Sequence, residues 1–189
     1  MTEKLSSPEK SMLLFLSADA IMTLTFFAVF AYLRFVAPQW PAAFHFGSGL
    51  MAAAMTLFLL SGSFTMYLAV RATHGGEADA QAPARWVAVT IASWSVFVLL
   101  EAMEWVRLIA IVGVTLGSNP WNVPLFGATY FILTGLHAVH VLAGLVYLTL
   151  VALKKWDVKA AQWYVHFVNA IWLPLFFGLY LGSTDLQGL

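Results

Sequence analysis

Five runs of this chain are each long and apolar enough to cross the hydrocarbon core of a bilayer. They are roughly Met12–Val36, Phe46–Arg71, Trp86–Ile111, Leu125–Leu153 and Trp163–Leu181. A crossing helix needs about 20 such residues. Inside lipid every backbone N–H and C=O must be satisfied internally, and runs of this length do so as helices. The remaining residues do not dilute the signal: 61% of the chain is hydrophobic and only 10% is charged, against about 25% charged in a soluble domain. The expected fold is therefore all-α, a single integral membrane bundle of five transmembrane helices spanning residues 1–189.

The breaks between runs carry turn chemistry. Pro38 and Pro41 sit in the first link, His74-Gly75-Gly76-Glu77 and Pro83 in the second, Gly117-Ser118-Asn119-Pro120 in the third, and Lys154-Lys155-Trp156-Asp157 in the fourth. Short links make consecutive helices antiparallel neighbours. A five-helix weave then puts Lys4, Lys10, Arg71, Arg85, Lys154, Lys155 and Lys159 on one side and only Arg34 and Arg107 on the other. By the positive-inside rule the N-terminus is expected to be cytoplasmic and the C-terminus external. Tryptophans mark the expected interfaces, with Trp86, Trp156 and Trp163 inside and Trp40 and Trp121 outside.

Several function classes are disfavoured. The chain has no cysteine, which removes disulfides, thiolate metal sites and cysteine nucleophiles. Its formal net charge is zero, giving no electrostatic reason to expect nucleic acid. Met1–Ser11 is polar and mixed in charge, unlike a cleavable signal. No phosphate-binding glycine loop, nucleophile motif or zinc helix is present. No catalytic residue and no metal ligand set is expected.

What remains are ionisable residues in the apolar runs, each of which costs at least roughly 2.5–3.5 kcal/mol to place at mid-membrane. His137 and His140 lie three apart and share a helix face, with Gly144 one turn on and the small residues Thr134, Gly135 and Ala138 nearby. Asp19 falls roughly 10–12 Å from the inner end of its helix, and His166 enters from the same side. One acid, as a possible proton-linked site, and three imidazoles could therefore form a buried polar layer. The plainer reading is hydrogen bonding between helices, with His166 also open to lipid headgroups. Glu104 and Arg107 have the spacing of a structural ion pair. Arg71, Arg85 and Lys155 are further candidates for anionic headgroups. A di-iron site would need Glu-x-x-His pairs, but the chain offers Glu101-x-x-Glu104 and His137-x-x-His140. A b-type haem anchor with His166 opposite His137 or His140 stays open. A transporter is disfavoured by the weak internal symmetry and unbroken helices.

Five segments, in order, resemble subunit III of the haem–copper respiratory oxidases. Leu14-Phe15-Leu16-Ser17-Ala18-Asp19 is similar to a helix in which a buried Glu follows a Ser, and Leu59-Leu60-Ser61-Gly62-Ser63-Phe64-Thr65 to a serine-rich helix. Leu100-Glu101-Ala102-Met103-Glu104-Trp105 resembles a Gln-Ala-x-Glu-Tyr segment. Thr134-Gly135-Leu136-His137-Ala138-Val139-His140-Val141 resembles Thr-Gly-Phe-His-Gly-x-His-Val. The stretch from Trp163 to Trp172, with His166 and Asn169, resembles Trp-Tyr-x-His-Phe-Val-Asp-x-x-Trp. Asp19 stands where the family has Glu, Asn169 where it has Asp, and Glu101 where Gln is common.

The resemblance implies the family's five-helix form, a non-catalytic subunit in the bacterial cytoplasmic membrane. It implies that haem and copper lie in the partner catalytic subunit I rather than in this chain. Subunit II and other oxidase subunits are expected partners, and structural phospholipids expected ligands. Subunit III of this family supports proton uptake and turnover stability in aerobic respiration. An accessory protein of a nitric oxide reductase is the alternative within the family, and the electron donor, cytochrome c or quinol, stays open.

Overall fold

A computed structural model of the chain describes residues 5–37, 39–41, 49–73, 81–153 and 156–181. Five helices account for most of them: α1 (Ser7–Val36), α2 (Gly49–Thr73), α3 (Ala82–Arg107), α4 (Phe126–Ala152) and α5 (Val158–Leu175). α3 and α5 each run on into a π-helical turn, Leu108–Val112 and Phe176–Leu181. Pro174, inside α5 just before its π turn, brings no N–H to the helical ladder. Four helices are long and apolar enough to cross a membrane: α1, α2, α4 and α5 with its π turn. α3, which carries Arg85, Glu101, Glu104 and Arg107, is not among them but is packed between α2 and α4.

α1 and α5 begin before their apolar runs do, because polar side chains cap them. α1 opens at Ser7 rather than Met12: Ser6 caps it, its Oγ accepting from the Glu9 N–H at 3.4 Å while the Glu9 carboxylate accepts from the Ser6 N–H at 2.6 Å. α5 opens at Val158 rather than Trp163, capped by Asp157, which accepts from the Ala160 N–H at 2.7 Å. α3 starts at Ala82 with Pro83 in its first turn. The expected start of the second run at Phe46, together with Pro38, the His74–Glu77 turn, Lys4, Lys154 and Lys155, lies outside the described residues.

α2, α3, α4 and α5 form a ring, each packed on the next, and α1 lies outside it against α5. Cross-links fix the antiparallel register. Thr65 meets Thr90 at 2.7 Å between α2 and α3. Trp105 Nε1 donates to Thr134 Oγ1 at 3.1 Å between α3 and α4. Trp172 Nε1 donates to Thr56 Oγ1 at 2.9 Å between α5 and α2, and Tyr130 meets Tyr180 at 2.7 Å between α4 and the end of α5.

Between lipid-embedded helices apolar burial supplies little drive, so close packing and interhelical hydrogen bonds must hold the ring. Trp94 shows how. Its fully buried indole lies against Gly62 of α2 and Gly144 of α4, and a Cβ on either glycine would collide with it. Its Nε1 donates to Leu59 O at 3.3 Å. α1 is held by the Phe30 ring over Gly178 and by Arg34, which donates to Gly178 O at 2.9 Å. Most of its large side chains, including Leu14, Ile21, Leu24 and Phe35, stay exposed.

Trp40, expected at the outer interface, is fully buried within the protein, edge-on to Phe30 and Phe126. It closes that end of the bundle from within.

Candidate functional site

The polar residues of the apolar runs divide among neighbouring contacts. Asp19, on the inward face of α1, is 7% exposed. Its Oδ1 and Oδ2 lie 3.2 and 3.0 Å from Nε2 of His140 on α4. Nδ1 of the same ring lies 2.8 Å from the Leu136 carbonyl, one turn back. Both ring nitrogens thus face acceptors, and a ring with a single hydrogen can donate to the carbonyl or to the carboxylate but not to both. Tyr164 of α5 donates to the His140 carbonyl at 2.8 Å, tying this turn of α4 to a third helix.

His137 points the other way, into the ring. It is 1% exposed, edge-on to Phe97 and tilted against Trp172. Its Nε2 donates to Val168 O at 3.2 Å, which leaves Nδ1 as an acceptor. His166 lies on the exposed face of α5, with Nδ1 2.9 Å from Ser63 Oγ on α2. Asn169 Nδ2 donates to the same oxygen at 2.6 Å, and the direction of the His166–Ser63 bond follows the imidazole tautomer. The three imidazoles thus serve three interfaces: α1–α4, α4–α5 and α2–α5.

Nearer the other end of α3, Arg107 Nε is 3.2 Å from Oε2 of the fully buried Glu104. Glu101, one turn earlier, is 3% exposed and neither of its oxygens has a hydrogen-bond partner among the described residues. The two donors nearest in sequence and register are committed elsewhere, Trp105 to Thr134 and Thr134 to Tyr130 O at 2.9 Å. At the opposite end Arg71 and Arg85 are both exposed where α2 ends and α3 begins. Lys155 lies outside the described residues. Among the described residues no cluster of three or more His, Asp or Glu side chains could hold a metal ion.

Sequence reasoning passed over Thr23, Ser63, Tyr164 and the Glu9–Lys159 pair, whose Nζ–Oε1 distance is 2.8 Å. The signal for Thr23 was available: it follows Asp19 by one helical turn on the same face. Ser63 and Tyr164 carried no comparable mark, because a hydroxyl in an apolar helix is common and its partner depends on how the helices are rotated.

No protein-family model matches the chain. Curated proteins do. It is 30% identical over 152 residues to the cytochrome c oxidase subunit 3 of Corynebacterium diphtheriae, covering 75% of this chain and 70% of that protein. The subunit 3 of Synechocystis is 28% identical over 183 residues, covering 89% and 72%. That of Thermostichus vulcanus is 28% identical over 181 residues, covering 90% and 85%. The chain belongs to the cytochrome c oxidase subunit 3 family.

Proposed function

We propose that the chain is the non-catalytic subunit III of a haem–copper terminal oxidase in a bacterial cytoplasmic membrane, seated against the catalytic subunit I, with its N-terminal end in the cytoplasm. The observation that carries this reading is the similarity to subunit 3 proteins over 70–85% of their length. The excess of Lys10, Arg71, Arg85 and Lys159 at one end of the bundle supports the orientation. Exposed apolar residues along α1 and along the outer faces of α2 and α4 suit lipid or a membrane partner. Phospholipid headgroups would meet Arg71, Arg85, Lys155 and His166.

Within this role the Asp19–His140 pair is the proton-linked element. A buried acid paired with an imidazole can accept and return a proton without leaving an unpaired charge in lipid. We place its contribution in sustaining proton uptake and turnover stability, not in the redox reaction itself.

Affinity purification of the tagged chain from its native membrane in mild detergent tests the reading. A haem–copper catalytic subunit should co-purify, and the preparation should show its haem absorbance. Recovery of the chain alone, with haem bound to it alone, or with nitric oxide reductase subunits would overturn it.

A further inference from the structure

Between α1, α4 and α5 lies a cavity bounded by Thr23, Phe26, Phe27, His137, His140 and Ile171. It leaves about 10 Å³ for the centre of a water molecule, the threshold at which one water fits. Two buried polar atoms belong to residues on its wall and have no hydrogen-bond partner among the described residues: Thr23 Oγ1 and His137 Nδ1. Their chemistry is complementary to water. Nδ1 is a bare acceptor, because Nε2 holds the ring's hydrogen against Val168 O. The threonine hydroxyl can both donate and accept. A buried polar atom without a partner is destabilising, and one water would relieve two of them.

We infer that this cavity is a binding site for a single internal water, which donates to His137 Nδ1 and hydrogen-bonds Thr23 Oγ1. The other polar ring of the wall, His140, has its nitrogens against Leu136 O and Asp19, and the remaining side chains are apolar, so the water is held by these two groups. It joins α1 to the centre of the ring at the level of the Asp19–His140 pair. It also places a hydrogen donor on the inward-facing free nitrogen of His137.

The test is a density map of the full chain in its lipid-embedded assembly, at a resolution that shows ordered water, together with the ¹⁵N shift of His137 Nδ1. The wild type and Thr23→Ser should both show a peak within hydrogen-bond reach of the two atoms. Thr23→Val, which keeps the shape and removes the hydroxyl, should lose the peak, and the Nδ1 shift should move to that of a nitrogen accepting no bond. An empty cavity in the wild type would overturn the inference. So would a peak and an unchanged shift in Thr23→Val. If Thr23→Val does not assemble, the wild-type map and shift decide alone.

Discussion

Asp19 and His140 are 121 positions apart, yet Nε2 of the imidazole lies 3.0 Å from one carboxyl oxygen and 3.2 Å from the other. This contact joins the outlying helix α1 to the ring. The Leu136 carbonyl lies 2.8 Å from the other ring nitrogen, so both nitrogens face acceptors and a ring with one hydrogen can donate to only one of them. That shortage separates the possible substitutions.

Asp19→Asn should be well tolerated. Its amide N–H can donate to a bare Nε2, satisfying a neutral ring whose one hydrogen goes to the Leu136 carbonyl. Asp19→Leu should destabilise the bundle by about 1–3 kcal/mol, because Nε2 is left buried and unpaired. Reversible unfolding in mixed micelles measures both. Equal losses for the two variants would contradict the hydrogen inventory.

Function should follow the opposite pattern, because what Asn restores is the bond and not the proton. In the assembled oxidase, Asp19→Asn and Asp19→Ala should leave haem content intact while shortening the active lifetime or slowing proton uptake. Time courses of oxygen consumption with proton-release measurements read this out. Wild-type behaviour of both variants would remove the pair from any proton-linked role.

Trp94 sets the spacing of three helices at once. Gly62→Ala and Gly144→Ala each put a methyl group into its indole, and overpacking of this kind costs about 1–3 kcal/mol. Replacing Trp94 with Phe opens room, so Gly144→Ala combined with Trp94→Phe should be more stable than the sum of the single losses, with a coupling of about 0.5–3 kcal/mol. Strict additivity would show that the indole is not the obstacle.

Arg107 and Glu104 make an asymmetric pair, the acid side chain 1% exposed and the arginine 26%. Removing the arginine takes the guanidinium from a buried carboxylate, so Arg107→Leu should destabilise the bundle. Glu104→Gln should cost less, since the arginine can still reach solvent or headgroups. A double replacement by Leu and Met should recover much of the loss, and thermal denaturation of the three variants checks the ranking.

Much of this architecture was legible before any coordinates. Length and apolarity gave the helices and their antiparallel order, because lipid permits few other solutions. Caps were legible too: Ser6-x-x-Glu9 is a capping box by sequence, though it lies upstream of the apolar run and was passed over for that reason. What could not be read was rotation about each helix axis. Asp19 had three candidate histidines, and only the azimuths of α1 and α4 select His140, turning His137 inward and His166 outward. Hydropathy carries little azimuthal information when all faces of a helix are apolar, as on α4. Trp40 lies in the link between α1 and α2, where no helical period says which way a side chain turns, and it packs inward against Phe30 and Phe126.

Orientation can be tested with unusual directness, because the chain has no cysteine of its own and single cysteines can be introduced without a background. Ser11 and Leu153 are both exposed near one end of the bundle, and Gly117 is exposed near the other. If the weave starts in the cytoplasm, Gly117→Cys should react with a membrane-impermeant maleimide added to intact cells. Ser11→Cys and Leu153→Cys should react only after the membrane is opened. The distribution of Lys and Arg favours this sense, and each basic residue near an anionic cytoplasmic leaflet contributes about 1 kcal/mol. The reverse labelling pattern would invert the orientation, move the Asp19–His140 pair to the outer half of the membrane, and so exclude it from proton uptake on the cytoplasmic side.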